Sequence, residues 1–235
     1  MKLNAFKIIV IAFFCSSSLF GQTVSEKLDN YFTSTLNPIN GNALVAENGK
    51  AIYKKSFGFA DFKNKRPNSE SSRFNIASIS KTFTSVAILQ LKEKGNLNID
   101  EPVKKYLPEF RYPDITIRHL LSHTSGLPDF DLYDDLYDKE PLRIIGNKDV
   151  LPQLMKWKDP LPFEPGEKWG YSNTNYNVLA LIVESVSGRE FSDYLRDNIV
   201  SKAKMKDTYL LEDFPNRRKD PDRVINHRLF RPYSE

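Results

Sequence analysis

The run Val86-Ala87-Ile88-Leu89-Gln90-Leu91 constrains this chain more than any other stretch. It lies inside a pattern that predicts a helix from Ile79 to Lys94, closed by Gly95. A helix apolar on nearly every side has no face to offer water, so it is expected in the middle of a core. Further helices are predicted around it. They span Val24 to Leu36, Ile117 to Ser122, Asp149 to Lys158, Asn175 to Ser187 (closed by Gly188) and Phe191 to Lys202. The first carries Val24, Leu28, Tyr31, Phe32 and Leu36 on one stripe. One hairpin is expected over Asn42 to Asp61, because Asn48-Gly49 separates two apolar runs and both residues accept positive φ. Thr208 to Leu211 is a candidate strand. Six helical segments and one hairpin make an α+β chain whose sheet is incomplete, since a lone hairpin is marginal in water.

Composition narrows the function classes. The chain has 235 residues, of which 40% are hydrophobic and 27% charged, values that fit a globular protein. The net charge is +4, too small to favour nucleic acid or an anionic membrane surface as partner. No apolar run reaches the length of a membrane span. Lys2 and Lys7 precede Ile8-Ile9-Val10-Ile11-Ala12-Phe13-Phe14, followed by Cys15 and three serines. That order is a secretory signal over residues 1–21, cut after Gly21, although Leu19 departs from the small residue expected at −3. Export makes the protein periplasmic or secreted and leaves residues 22–235 as its folded domain. Phe14 disfavours a lipid anchor on Cys15. With Cys15 removed the mature chain holds no disulfide, thiolate ligand or cysteine nucleophile.

Several catalytic signatures are absent: there is no G-x-S-x-G, G-x-G-x-x-G, Walker loop or H-E-x-x-H. His119 and His123 stand at metal-ligand spacing but have no third ligand, so hydrogen-bonded structural histidines are expected and no metal. The acidic stretch of Asp129, Asp131, Asp134, Asp135, Asp138 and Glu140 lacks the pattern of a calcium loop and reads as a solvated loop. A serine three residues before a lysine occurs twice. Ser201 and Lys204 belong to the basic end of a surface helix. Ser78 and Lys81 instead open the buried helix, on one face and within reach of each other. Burial makes a lysine shed its proton more readily, and it can then take one from a neighbouring hydroxyl. The alternative is a helix-capping serine beside a surface charge. Tyr171-Ser172-Asn173 is the sole Y-x-N in the chain. It is either a helix start, since Ser172, Asn173 and Thr174 are all good caps, or a phenol and a carboxamide facing a nucleophile.

Ser78-Ile-Ser-Lys81 with Tyr171-Ser-Asn173 resembles the serine β-lactamase and penicillin-binding superfamily, in its class C, D-alanyl-D-alanine carboxypeptidase and esterase branch. Phe74-Asn-Ile-Ala-Ser78, Leu97 to Pro102, Ile115 to Pro128 and Phe163-Glu-Pro-Gly166 extend the likeness. It implies a β-lactamase/transpeptidase-like fold, with a helical region beside an antiparallel sheet. It implies that Ser78 forms an acyl-enzyme and that Lys81 and Tyr171 share the acid–base work. Asn173 would hold Lys81 and contact the substrate amide, and the Ser78 N–H would supply half of an oxyanion hole. No cofactor is implied. The substrate would be a small molecule or peptide: a D-amino-acid peptide (peptidoglycan-derived ones included), a β-lactam or a small ester. The family's third motif, Lys or His, then Ser or Thr, then Gly, does not occur after Tyr171. The chain is therefore expected to be a C-terminally truncated fragment, nearly inactive alone. An acylated sensor that does not turn over, or an inactive remnant, are the competing readings. The sequence leaves the oligomeric state open.

Overall fold

The computed structural model describes residues 22–34, 39–139 and 146–210, and the expected signal segment, Leu36, Glu140 and Leu211 lie outside them. The described residues fall into two compact units, one ending at Phe74 and the other starting at Asn75.

The first unit opens with helix α1, Val24–Thr33, started by a reciprocal capping box between Thr23 and Glu26. Its expected apolar stripe is only partly used. No α1 residue is buried and Tyr31 is exposed, while Phe32 stacks on Tyr53 at 5.7 Å. Strands β1, Gly41–Glu47, and β2, Lys50–Phe57, form the expected antiparallel hairpin. Asn48 and Gly49 turn it with φ of 49° and 76°, the double positive φ of a type I′ turn. The expected hairpin ends before Asp61. Strand β3, Phe59–Asp61, pairs instead with β4, Arg66–Pro67, in a second small sheet. Tyr53 is the one buried residue of β2 and donates its hydroxyl to Asp29 of α1 at 2.6 Å. Burial and the Asp29 carboxylate push that phenol up to about 12.

The second unit is helical and holds the main core. A 3₁₀ turn over Ala77–Ile79 leads into α2, Ser80–Glu93, and Gly95 follows at φ 74°. Helix α3, Ile117–Leu121, begins on a reciprocal Thr116–His119 cap. Helix α4, Asp134–Lys139, occupies the acidic stretch after a 3₁₀ turn over Phe130–Tyr133. Asp131, Asp134, Asp135 and Asp138 are exposed, as a solvated stretch requires, but Asp134–Lys139 is helix and not loop: acidic side chains in a first turn face the positive end of the helix dipole. Helices α5, Val150–Lys156, α6, Asn173–Ser187, and α7, Phe191–Leu195, complete the unit. A π turn over Arg196–Val200 extends α7, and 208–210 form no strand. Gly188 closes α6 at φ 67°.

Helix α6 buries Val178, Leu179, Ile182 and Val183, the spacing of a single helical face. That face packs on α2, α3, α5 and α7, with Phe110, Ile115 and Val103 filling the space around it. Helix α2 departs from expectation. Ala87, Ile88 and Leu91 are buried, but Val86 and Leu89 are 37% and 47% exposed. The run is apolar all round, yet only one side of it is packed among the described residues. Among those residues no helix is long and apolar enough to cross a membrane.

Truncating Ile88 to Ala, at 0% exposure, should destabilise the unit by about 2–5 kcal/mol. Leu89→Ala, one position on, should stay within about 0.5 kcal/mol, as surface changes do. Denaturant unfolding of the two variants checks the asymmetry, and equal losses would contradict it.

Candidate active site

Ser78 owes its place to the residue before it. Ala77 has φ of 44°, a left-handed conformation that costs a non-glycine residue energy and is held by its surroundings. Its N–H is anchored on Asn75 Oδ1 at 2.9 Å. The chain then enters the 3₁₀ turn with Ser78 as its second residue. An N–H at the start of such a turn has no acceptor within the helix. The Ser78 side chain is exposed on the same end.

Lys81 is the second residue of α2 and is half-buried. Its Nζ donates to Ser78 Oγ at 3.1 Å and to Asn173 Oδ1 at 2.7 Å. It also sits 5.0 Å from the Tyr171 ring centre and 5.6 Å from that of Tyr176. The Tyr171 hydroxyl is 2.8 Å from Ser78 Oγ. The four residues singled out in the sequence, Ser78, Lys81, Tyr171 and Asn173, thus form one hydrogen-bonded cluster. Hydrogen bonds from Lys81 and Ser78 hold the Tyr171 phenol below its ordinary value of 10. The cluster therefore contains a cation, a phenol with an eased proton and a hydroxyl that touches both. The other serine–lysine pair remains on the surface, with Ser201 and Lys204 exposed.

Residues 115–128 and 163–173 build the frame that brings Tyr171 and Asn173 to this point. After α3 the chain reverses at His123, φ 57°, and at Gly126, φ 74°. A Cβ on Gly126 would stand 2.3 Å from the Phe163 carbonyl oxygen, so the close approach of the two segments requires glycine. Backbone bonds from Gly166 to Thr124 (2.7 Å) and from Gly170 to His123 (2.8 Å) tie the segments together. The His123 ring stacks on Tyr171 at 4.5 Å. Its Nδ1 accepts the Ser172 N–H at 3.3 Å and faces Asn175 Nδ2 at 3.2 Å. A backbone N–H can only donate, so Nδ1 carries a lone pair and the proton of the neutral ring sits on Nε2. Burial, reinforced by the Lys81 charge, holds this imidazole below its ordinary 6.5.

Helix α6 begins two residues earlier than its pattern suggests. None of the three expected caps works through its own side chain. Ser172 Oγ donates to Pro128 O at 2.9 Å, and Thr174 Oγ1 is buried without a hydrogen-bond partner among the described residues. Asn173 is committed to the cluster. The carboxylate at the helix start is Asp129, which accepts the Asn173 N–H at 2.7 Å and faces its Nδ2 at 3.2 and 3.3 Å. Sequence reasoning placed Asp129 in a solvated run and missed it. Its signal was position, one residue beyond the Ile115–Pro128 motif. The two histidines are hydrogen-bonded as expected, with Thr116 N–H on His119 Nδ1 at 3.3 Å. Among the described residues no group of three His, Cys, Asp or Glu side chains could hold a metal ion.

The family model described as beta-lactamase matches residues 32–224. The chain belongs to the beta-lactamase family. It is 41% identical over 189 residues to penicillin-binding protein 4* of Bacillus subtilis (strain 168), which covers 80% of this chain and 41% of that protein. A penicillin-binding protein from Bacillus halodurans superposes with a TM-score of 0.67 at 36% identity, covering 79% of this chain and 56% of the other. EstCE1, a hydrolase with promiscuous acyltransferase activity, gives a TM-score of 0.60 at 28% identity, covering 69% of this chain and 46% of the other. The chain thus spans about two fifths to just over half the length of these proteins. The expected α+β, β-lactamase/transpeptidase-like fold holds.

Protonating His123 is resisted in the folded protein, while the unfolded chain carries an ordinary imidazole near 6.5. Unfolding therefore takes up a proton. This contribution to stability is complete above pH 6.5 and is lost as pH falls from 6.5 through the lower folded value. His123→Asn, which keeps an acceptor near the Nδ1 position, should flatten that part of a Tm–pH profile. An unchanged profile would contradict the assignment.

Proposed function

We propose that this chain carries an exported serine hydrolase of the β-lactamase-related type, with Ser78 as its nucleophile. The observation that supports it is the contact of Ser78 Oγ with both Tyr171 OH, at 2.8 Å, and Lys81 Nζ, at 3.1 Å. Serine is a weak nucleophile until a neighbouring group takes its proton. Here two candidates lie within hydrogen-bond reach, and they also touch the same Asn173 oxygen, Tyr171 OH at 3.4 Å.

The proposed reaction runs in two halves. Ser78 Oγ attacks a carbonyl carbon while its proton passes to the Lys81–Tyr171 pair, which has first given one proton to solvent and so holds a lone pair to receive it. The tetrahedral oxyanion is met by the Ser78 N–H, freed by the Ala77 bend. The pair returns the proton to the leaving nitrogen or oxygen, and the carbon–heteroatom bond breaks to leave an ester on Ser78. Water then attacks that ester with the same pair as base, releasing the acid. Asn173 fixes Lys81 and offers its carboxamide to the substrate amide. The chemistry uses side chains and water. Substrates are amides or esters of small molecules or peptides, with D-amino-acid peptides and β-lactams favoured by the penicillin-binding relatives. The domain is proposed to begin after a signal cleaved at Gly21, which places it in the periplasm or outside the cell.

Incubation with a fluorophosphonate should add one phosphonyl group per chain, detectable by intact mass, and Ser78→Ala should abolish it. Labelling that persists in Ser78→Ala would overturn the nucleophile. Penicillin distinguishes turnover from capture: a transient adduct supports a hydrolase, while one that never clears supports the acylated sensor.

A further inference from the structure

Asn173 can serve Lys81 only in one of two orientations. Lys81 Nζ is purely a donor, so it requires the carboxamide oxygen, which it reaches at 2.7 Å. A flip of the amide would put its NH₂ against the ammonium. Asp129 stands on the other side of the same carboxamide. A carboxylate is purely an acceptor, and both its oxygens lie at 3.2 and 3.3 Å from Asn173 Nδ2. Flipping the amide would therefore create two repulsive contacts at once, one at each end.

Asp129 is itself held. Its Oδ1 also takes the Asn173 backbone N–H at 2.7 Å, so one carboxylate grips the main chain and the side chain of the same residue. The neighbouring Pro128 is buried, and its carbonyl accepts Ser172 Oγ at 2.9 Å. Residues 128–129 are thus pinned to 172–173 by side-chain bonds in both directions. No carboxylate among the described residues pairs with Lys81 directly. Asp129 is joined to it through the Asn173 carboxamide, which binds the carboxylate with its Nδ2 and the ammonium with its Oδ1.

We propose that Asp129 is a positioning residue: it sets the orientation of the Asn173 carboxamide and thereby the place of Lys81 against Ser78. This rests on the reading of Ser78 as nucleophile. Among the described residues the hydrogen bonds of Asp129 go to Asn173 and not to Ser78. Its contribution is to remove the alternative rotamers of Asn173 and to keep the relay Asp129–Asn173–Lys81–Ser78 in register.

Capping and positioning can be separated. Asn and Asp cap helices about equally, so Asp129→Asn can still accept the Asn173 N–H. It cannot offer two acceptor oxygens to Nδ2. Two readouts apply to the 235-residue chain. The first is the ¹⁵N-correlated side-chain NH₂ pair of Asn173, assigned by its loss in Asn173→Ser. The second is the rate of Ser78 labelling by a fluorophosphonate across pH. Asp129→Asn should move the NH₂ pair to an unrestrained position and slow labelling by about ten- to a hundred-fold, the scale of a small misplacement of a catalytic group. Its Tm should stay close to that of the parent. An NH₂ pair that does not move overturns the proposal, whatever the labelling does. A pair that moves while labelling is unchanged overturns it too. A parent chain that never labels counts against Ser78 as a working nucleophile in this chain by itself, and the NH₂ pair still decides whether Asp129 orients Asn173.

Discussion

One charge organises the second unit's exposed end: the ammonium of Lys81. It rises from the first turn of α2 and has no carboxylate in contact among the described residues. A half-buried cation needs its donors satisfied. Here they are met by a hydroxyl, a carboxamide oxygen and the faces of two tyrosines. Each partner is neutral, so none neutralises the charge outright. That choice of partners draws Tyr171 and Ser78 into hydrogen-bond distance of each other and eases the proton of the phenol.

The frame around Lys81 is made of turns more than of helices. Ala77 bends the chain ahead of Ser78, and His123 and Gly126 reverse it between α3 and the Phe163–Asn173 segment. His123 serves both purposes of such a frame. Its carbonyl and Nδ1 bind Gly170 and Ser172, and its ring backs the phenol of Tyr171. Because that ring is neutral, it supports Tyr171 without adding a second cation beside Lys81. The core beneath, with α6 packed against α2, keeps the two halves of the cluster in fixed relation.

Much of this was legible in the sequence because it is local. Asn48-Gly49 dictates its turn, Gly95 and Gly188 end their helices, and the Ser78–Lys81 spacing puts both side chains on one face. The Ile115–Pro128 and Phe163–Gly166 segments carried the family likeness. What escaped depended on partners far along the chain. Asp129 sits among acidic residues that look solvated, and only the approach of α6 turns it into a ligand for Asn173. The apolar surround of α2 suggested full burial, yet Val86 and Leu89 face outward in the described residues. The acidic run hid a helix, since charge pattern alone does not separate a dipole-stabilised first turn from a loop. Helix α6 started early because Asp129, not a local cap, satisfies its first N–H.

The claim on which the functional reading stands is that Lys81, held by Asn173, activates Ser78. The rate of Ser78 phosphonylation in Lys81→Met against the parent chain tests it most directly. The account predicts a fall of at least about 10², the lower bound for losing a positioned acid–base group, with the fold intact by circular dichroism. Labelling of Lys81→Met at the parent rate would contradict it.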